Sequence, residues 1–249
     1  MEKEKRLEKK KISGNPLRML PDLLYPRRCP VCDGILGRNE IYVCGPCRKK
    51  VSFLQGPLCF RCGTPVSEGQ EYCHVCRSET FHFERALAPF AYQGEMKESM
   101  MRLKYKGRAE YAHFYGKAMA LFFQRHMPLF EPDVLIPVPI HPSRYRKRGY
   151  NQAELIAREV SCMLSVPVDT GILYRRKKTK AQKELGRRAR LRNLKDAFGV
   201  KDRCPYRRVL LIDDIFTTGS TIERISALLL ENGASEIVAL CAQRVVVTL

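Results

Sequence analysis

The chain has 249 residues, 45 of them lysine or arginine and 26 aspartate or glutamate, a formal net charge of +19. That length accommodates one full α/β domain plus a small module with a sizeable core, and the charge points to a polyanionic ligand. No window approaches the roughly 18 consecutive apolar residues of a membrane span, and the opening MEKEKRLEKKK lacks a signal-peptide core, so no membrane insertion and a cytoplasmic location are expected. Residues 2 to 11 read first as a solvated arm or helical turn and only second as a nucleic-acid contact.

The next feature is a run of four Cys-x-x-Cys pairs: Cys29 and Cys32, Cys44 and Cys47, Cys59 and Cys62, Cys73 and Cys76. A two-residue gap lets both thiolates of a pair face one ion from a tight knuckle, and four such sulfurs complete tetrahedral Zn²⁺. The gaps between successive pairs, eleven residues from Cys32 to Cys44 and ten from Cys62 to Cys73, suggest two tandem ribbons. Sequential quartets are the simplest pairing, with cross-brace pairing or a single occupied site left open. Disulfides or an iron–sulfur cluster are poorer readings of a cytosolic chain. The zinc would be structural, since every ligand is protein and so short a unit needs a staple. His74 reads as a bystander, and Cys162, Cys204 and Cys241 as ordinary small core residues.

From residue 83 the texture changes, giving an expected boundary between an arm and ribbon module at 1–82 and a second domain at 83–249. Strands are expected at 85–92 and 133–138, and helices at 95–103 and 109–127. The segment 137–154, PVPIHPSRYRKRGYNQAE, reads as a basic loop carrying Arg144, Arg146, Lys147 and Arg148. The helix behind it is capped by Asn151, with Ala153, Ile156, Ala157, Val160 and Met163 as its apolar stripe. His141 stands in that loop, where a lone histidine can equally be satisfying backbone groups. A strand near 171–173 precedes residues 175 to 195, which hold eleven basic residues and one acid. Strands at 208–213 and 236–241 flank a helix from Ile222. Such alternation implies a mostly parallel sheet flanked by helices, with ligands at the strands' carboxyl ends.

The richest stretch is VLLIDDIFTTGST, residues 209 to 221. A buried strand runs into two acids, then a hydroxyl-and-glycine turn that opens a helix. Backbone N–H groups of Thr217, Thr218, Gly219, Ser220 and Thr221 converge there with a helix N-terminus, which suits a phosphate dianion. Asp213 and Asp214 can accept from two vicinal hydroxyls, so a phosphorylated sugar meets both needs. A bare turn, a Mg²⁺ site or a helix cap are the plainer readings; a Walker loop is disfavoured because no lysine follows the glycine.

This stretch resembles the phosphoribosyl-pyrophosphate (PRPP) motif of type I phosphoribosyltransferases, and the chain from about residue 20 to 244 is similar to the ComF family, named for bacterial DNA uptake in competence. The loop at 137–154 resembles the family signature PVPxHPxRxRxRGxNQ, and LKYKG at 103–107 is a shorter match. Thr179, Gln182, Leu185, Arg190 and Asn193 fit the pattern TxxQxxLxxxxRxxN, although Ala189 stands where many members carry an acid. The resemblance implies a type I phosphoribosyltransferase fold behind a double zinc ribbon. It implies a Mg²⁺-dependent transferase in which Asp213 and Asp214 are catalytic and hold the ribose hydroxyls, residues 217 to 221 the 5′-phosphate, and Arg144 and Arg148 the pyrophosphate. The segment at 175–198 corresponds to a lid, which would exclude water from an oxocarbenium-like transition state. DNA uptake or nucleic-acid metabolism, with single-stranded DNA and a competence helicase as partners, is implied likewise. The alternative is a non-catalytic PRPP sensor and single-stranded-DNA-binding scaffold.

Overall fold

The four consecutive aliphatic residues Val209 to Ile212 have no exposed surface, because the strand they form lies inside a sheet covered on both faces. The structure, a computed structural model, describes residues 26–51, 53–176, 194 and 196–246; the arm at 2–11 and the five positions matched to the lid pattern lie outside these. In chain order the elements are α1 (Gly45–Arg48), α2 (His74–Ser78), β1 (Arg85–Leu87), β2 (Phe90–Ala91), α3 (Gly94–Tyr105), α4 (Tyr111–His126), β3 (Val134–Pro137), α5 (Pro142–Arg148), α6 (Gln152–Leu164), β4 (Leu173–Arg175), β5 (Phe198–Val200), β6 (Arg208–Phe216), α7 (Ser220–Glu231) and β7 (Glu236–Arg244).

The main sheet runs β1-β7-β6-β3, with β2 continuing the β1 edge, and every pairing in it is parallel. The strand expected over 85–92 is split in two by Ala88-Pro89, because proline has no N–H to give the ladder. Side chains alternate across β6 and β7. Leu210, Ile212, Val238 and Leu240 join a core built by α3, α4 and α6. Val209, Leu211, Ile237 and Ala239 join a second core with α7. Each of these valines, leucines and isoleucines, fully buried, contributes about 1.5–3 kcal/mol. The expected stripe of α6 is buried from Ala153 to Val160 but ends there: Met163 is 38% exposed, and Cys162, expected in the core, is exposed as well. Beside the sheet, β4 and β5 pair antiparallel and bring the two ends of the basic segment together.

The cysteines form two quartets in sequential pairing, Cys29, Cys32, Cys44 and Cys47, then Cys59, Cys62, Cys73 and Cys76, with all sulfurs of a quartet within 4.8 Å of one another. Cys32 and Cys44 Sγ are 3.7 Å apart, as are Cys62 and Cys73 Sγ. A tetrahedron with Zn–S arms of about 2.3 Å has edges of about 3.8 Å, so the sulfurs fit zinc; disulfide bonds would need about 2 Å. The ribbons repeat each other in backbone detail. Cys29 N–H donates to Gly34 O and Asp33 N–H to Cys29 O; Cys59 N–H donates to Thr64 O and Gly63 N–H to Cys59 O. The equivalent residues Asp33 and Gly63 are both left-handed, at φ 64° and 68°. Glycine is required at 63, where a Cβ would lie 2.5 Å from Ala86 O. Asp33 instead uses its side chain: Tyr111 Oη donates to Oδ1, and Arg108 Nε lies 3.0 Å from Oδ1. Against its burial, those two partners hold the Asp33 carboxyl below its ordinary range.

The ribbons sit on opposite faces of the sheet. Cys29 and Cys47 belong to the α3–α4–α6 core, Cys59 and Cys62 to the α7 core. Metal binding therefore fixes the shape of atoms that the sheet packs against. The purified protein is expected to carry two zinc ions, and their removal should lower the melting temperature of the sheet domain as well as release the ribbons. Elemental analysis with thermal melting before and after chelation checks this; an unchanged sheet transition in metal-free protein would contradict it.

Candidate functional site

β3 and β6 are adjacent, and the helices that follow them go to opposite faces, α6 to one core and α7 to the other. A crevice opens at such a switch point beyond the strands' carboxyl ends. The last rung is Val138 N–H to Ile212 O, 2.9 Å, and β6 then runs on past β3 through the two acids to Phe216. Its register with β7 skips Asp214 between Asp213 and Ile215.

The two acids are unequal. Asp214 is 7% exposed and has both oxygens engaged: Lys104 Nζ donates to Oδ1 at 2.8 Å, and Gln152 Nε2 donates to Oδ2. Arg148 in turn donates to Gln152 Oε1 and lies 5.2 Å from the centre of the Tyr105 ring. Asp213 is partly buried and accepts the Asp214 backbone N–H at 2.8 Å. Burial first, then the neighbouring charge of Asp214, push the Asp213 carboxyl up to about 7. Burial and the like charge of Arg144 push the Arg175 guanidinium down, while the Asp213 charge opposes them.

The hydroxyl-and-glycine turn has the expected form. Gly219 is left-handed at φ 75°, a Cβ there would lie 2.7 Å from Phe216 Cζ, and α7 starts at Ser220 with Gly219, which has no side chain to offer, at its N-cap. Thr218 and Ser220 hydroxyls are 2.8 Å apart; Thr217 is exposed, Thr221 partly buried. The turn thus presents main-chain N–H groups and hydroxyls at a helix N-terminus, the chemistry of an anion cradle.

The segment expected as a basic loop is in part a helix. α5 carries Arg144 and Arg148, begins with Pro142, and ends at the left-handed Gly149. His141 caps it, its side chain accepting from Ser143 N at 3.2 Å, so its role is backbone satisfaction. RGYNQ then works residue by residue. Gly149 stops α5, and Tyr150 Oη donates to Leu103 O. Asn151 caps α6 and donates to Val138 O at 3.0 Å, and Gln152 reaches Asp214. Lys104 and Gln152 were not picked out from sequence as site residues. The only signal for Lys104 was LKYKG, and its acid lies 110 residues away.

The double zinc ribbon domain model matches residues 20–77. Competence protein F of Haemophilus influenzae is 32% identical over 216 residues, covering 84% of this chain and 93% of that protein. The chain belongs to the ComF family. Other relatives are the DNA utilization protein YhgH of Escherichia coli K12, 29% identical over 89% of this chain and 99% of that protein, and competence protein ComFC of Bacillus subtilis, 28% identical over 77% and 79%. Among solved structures, a purine phosphoribosyltransferase from Pyrococcus horikoshii is 17% identical with a TM-score of 0.31, covering 51% of this chain and 70% of that one. The glutamine PRPP amidotransferase of B. subtilis is 17% identical with a TM-score of 0.36, covering 56% and 30%. In this ComF chain three separated motifs, LKYKG, RGYNQ and the acidic strand end, meet on one buried carboxylate.

That carboxylate predicts a measurable coupling. Lys104→Met leaves Asp214 buried without its cation and is expected to destabilise the fold by about 3 kcal/mol. Adding Asp214→Asn should cost clearly less than the sum of the single changes. Urea unfolding of the two singles and the double forms the cycle; strictly additive effects would show that the pair is not coupled.

Proposed function

We propose that the crevice binds PRPP with Mg²⁺, and that the protein is a phosphoribosyltransferase-like member of the ComF family acting in DNA uptake or nucleic-acid metabolism. The observation that carries this reading is one strand, β6, that carries the partly buried Asp213 and leads directly into the left-handed Gly219 turn at the start of α7. In this reading the turn at 217–221 holds the 5′-phosphate, Asp213 accepts from a ribose hydroxyl, and Arg144 faces the pyrophosphate. Asp214 keeps Lys104 and Gln152 in register beneath the sugar, and Arg148 supports Gln152. Mg²⁺, when bound with the pyrophosphate, would neutralise charge as it develops on the leaving group. Among the described residues no helix is long and apolar enough to cross a membrane.

The raised Asp213 carboxyl gives this reading a pH signature. In the free protein the group holds a proton up to about pH 7, and accepting a hydroxyl requires the carboxylate, so binding should release a proton below that pH. PRPP affinity should then rise up to tenfold per pH unit between about pH 5.5 and 7 and level off above, after correction for the ligand's own phosphate ionisation. Protein stability should move oppositely: a carboxyl raised in the folded state costs stability as pH climbs from its ordinary value through 7. Isothermal titration in buffers of different ionisation enthalpy measures the released proton. Asp213→Asn should weaken PRPP at least tenfold, a charged hydrogen bond being worth about 1.5–3 kcal/mol, and should remove the pH slope. Full affinity in a folded Asp213→Asn protein would remove the reading.

A second reading, a single-stranded-DNA-binding scaffold, is favoured by the first ribbon. Arg27, Arg38, Arg48, Lys49 and Lys50 are exposed, while the two acids there are tied inward, Asp33 to Arg108 and Glu40 to the N–H groups of Gly37 and Gly45. If DNA lies there, log affinity should fall with log salt by about 0.7 per phosphate contact. Charge reversal at Arg38, Arg48 and Lys49 should flatten that slope, and saturating PRPP should have no effect. Competition by PRPP, with a slope that depends on Arg187, Arg188 and Arg190, would place the DNA on the basic segment instead.

A further inference from the structure

Arg244, the last residue of β7, is a cation in a mostly apolar strand and only 3% exposed. Its guanidinium faces two ways. Nη1 donates to the backbone carbonyl of Cys62, a ligand of the second quartet, and Nη2 lies 4.0 Å from that residue's sulfur. The same group lies over the Phe216 ring, 5.1 Å from its centre. Phe216 is the floor of the phosphate turn, since the space where a Gly219 Cβ would stand is filled by its ring.

Two further contacts reach the same turn from His82 and Phe83, just after that ribbon. Phe83 meets Phe216 edge-on, with ring centres 6.3 Å apart. His82 donates its backbone N–H to Glu223 Oε2 at 3.0 Å and sets Nδ1 2.5 Å from Oε1. Glu223 in turn donates its backbone N–H to Gly219 O at 2.8 Å. The first quartet packs into the other core, against α3, α4 and α6.

We propose that Arg244 is a positioning residue through which metal occupancy of the second cysteine quartet, and not the first, sets the shape of the 217–221 turn. With zinc bound, the Cys59–Cys62 knuckle is fixed, the Cys62 carbonyl holds the guanidinium, and the guanidinium and Phe83 hold the Phe216 ring under Gly219. Without it the carbonyl is free to turn away and the floor loses its support. The loss of ligand affinity that follows rests on the PRPP reading; the coupling itself rests only on these contacts.

Hydrogen exchange on the full chain, with zinc content measured in parallel, tests the coupling without ligand. Exchange in a peptide spanning 216–222 should become about tenfold faster in Cys76→Ser, with one zinc lost and a peptide spanning 134–140 unchanged. Cys32→Ser should leave the 216–222 peptide as in the wild type. Arg244→Lys should reproduce the Cys76→Ser effect while retaining both zinc ions. If Arg244→Lys fails to fold, Phe216→Leu is read in its place, since it removes the ring and spares the bond to Cys62. Wild-type exchange at 216–222 in either two-zinc variant, or equal effects of the two cysteine changes, overturns the proposal. PRPP titration of the same proteins should show affinity about tenfold lower wherever the turn is loosened. A wild type that binds no PRPP removes the ligand reading, and exchange still decides the coupling.

Discussion

A carboxylate removed from water must be given partners, and Asp214 obtains them from parts of the chain that sequence keeps far apart. Lys104 comes from α3, Gln152 from the start of α6, and the acid itself from the end of β6. Leaving any of these out would strand a charge or an amide in a place water does not reach, at a cost comparable to much of a domain's net stability. The crevice therefore takes its shape from below. Asp213 and the turn at 217–221 are left outside that cluster, whose bonds are already taken by Lys104 and Gln152.

The two ribbons extend the same logic to the outside of the domain. They are copies in backbone hydrogen bonding, yet each is joined to the sheet by a different device. The first offers the Asp33 carboxylate to Arg108 and Tyr111 and the Val31 carbonyl to Arg102. The second offers the Arg61 carbonyl to Ala86 N–H and the Cys62 carbonyl to Arg244, and its Arg61 guanidinium donates to Phe83 O. The side-chain clasp suits the basic, exposed ribbon. The second clasp needs glycine at 63, where a Cβ would run into Ala86 O, and suits the ribbon that packs with the α7 core.

Much of this was legible in the sequence because it is local. Cys-x-x-Cys spacing, the apolar run of β6, the Asn151 cap and the glycine turn each declare themselves within a few residues. α5 did not: four of its seven residues are basic and it has no apolar stripe, although His141-Pro142 at one end and Gly149 at the other are start and stop signals in hindsight. β5 is three residues long and finds its state only by pairing with β4. Lys104 and Arg244 were beyond reach for a different reason. A charged residue on an amphipathic helix or near a strand end looks solvated until a partner from elsewhere in the chain arrives.

The parallel arrangement has a consequence for how the protein is made. β7 is the innermost support of the β1 and β2 edge, and Arg244 on it meets Cys62 across 182 residues of chain. During synthesis both ribbons can gather metal as soon as they emerge, and the first soon meets α3 and α4, but the β7 strand that takes the Cys62 carbonyl of the second comes long afterwards. Until then the flank of Cys59 and Cys62 lacks part of its cover. A sheet closed so late, through contacts so distant along the chain, should form slowly, and a nascent chain with loaded ribbons and an open edge is the species most in need of a chaperone.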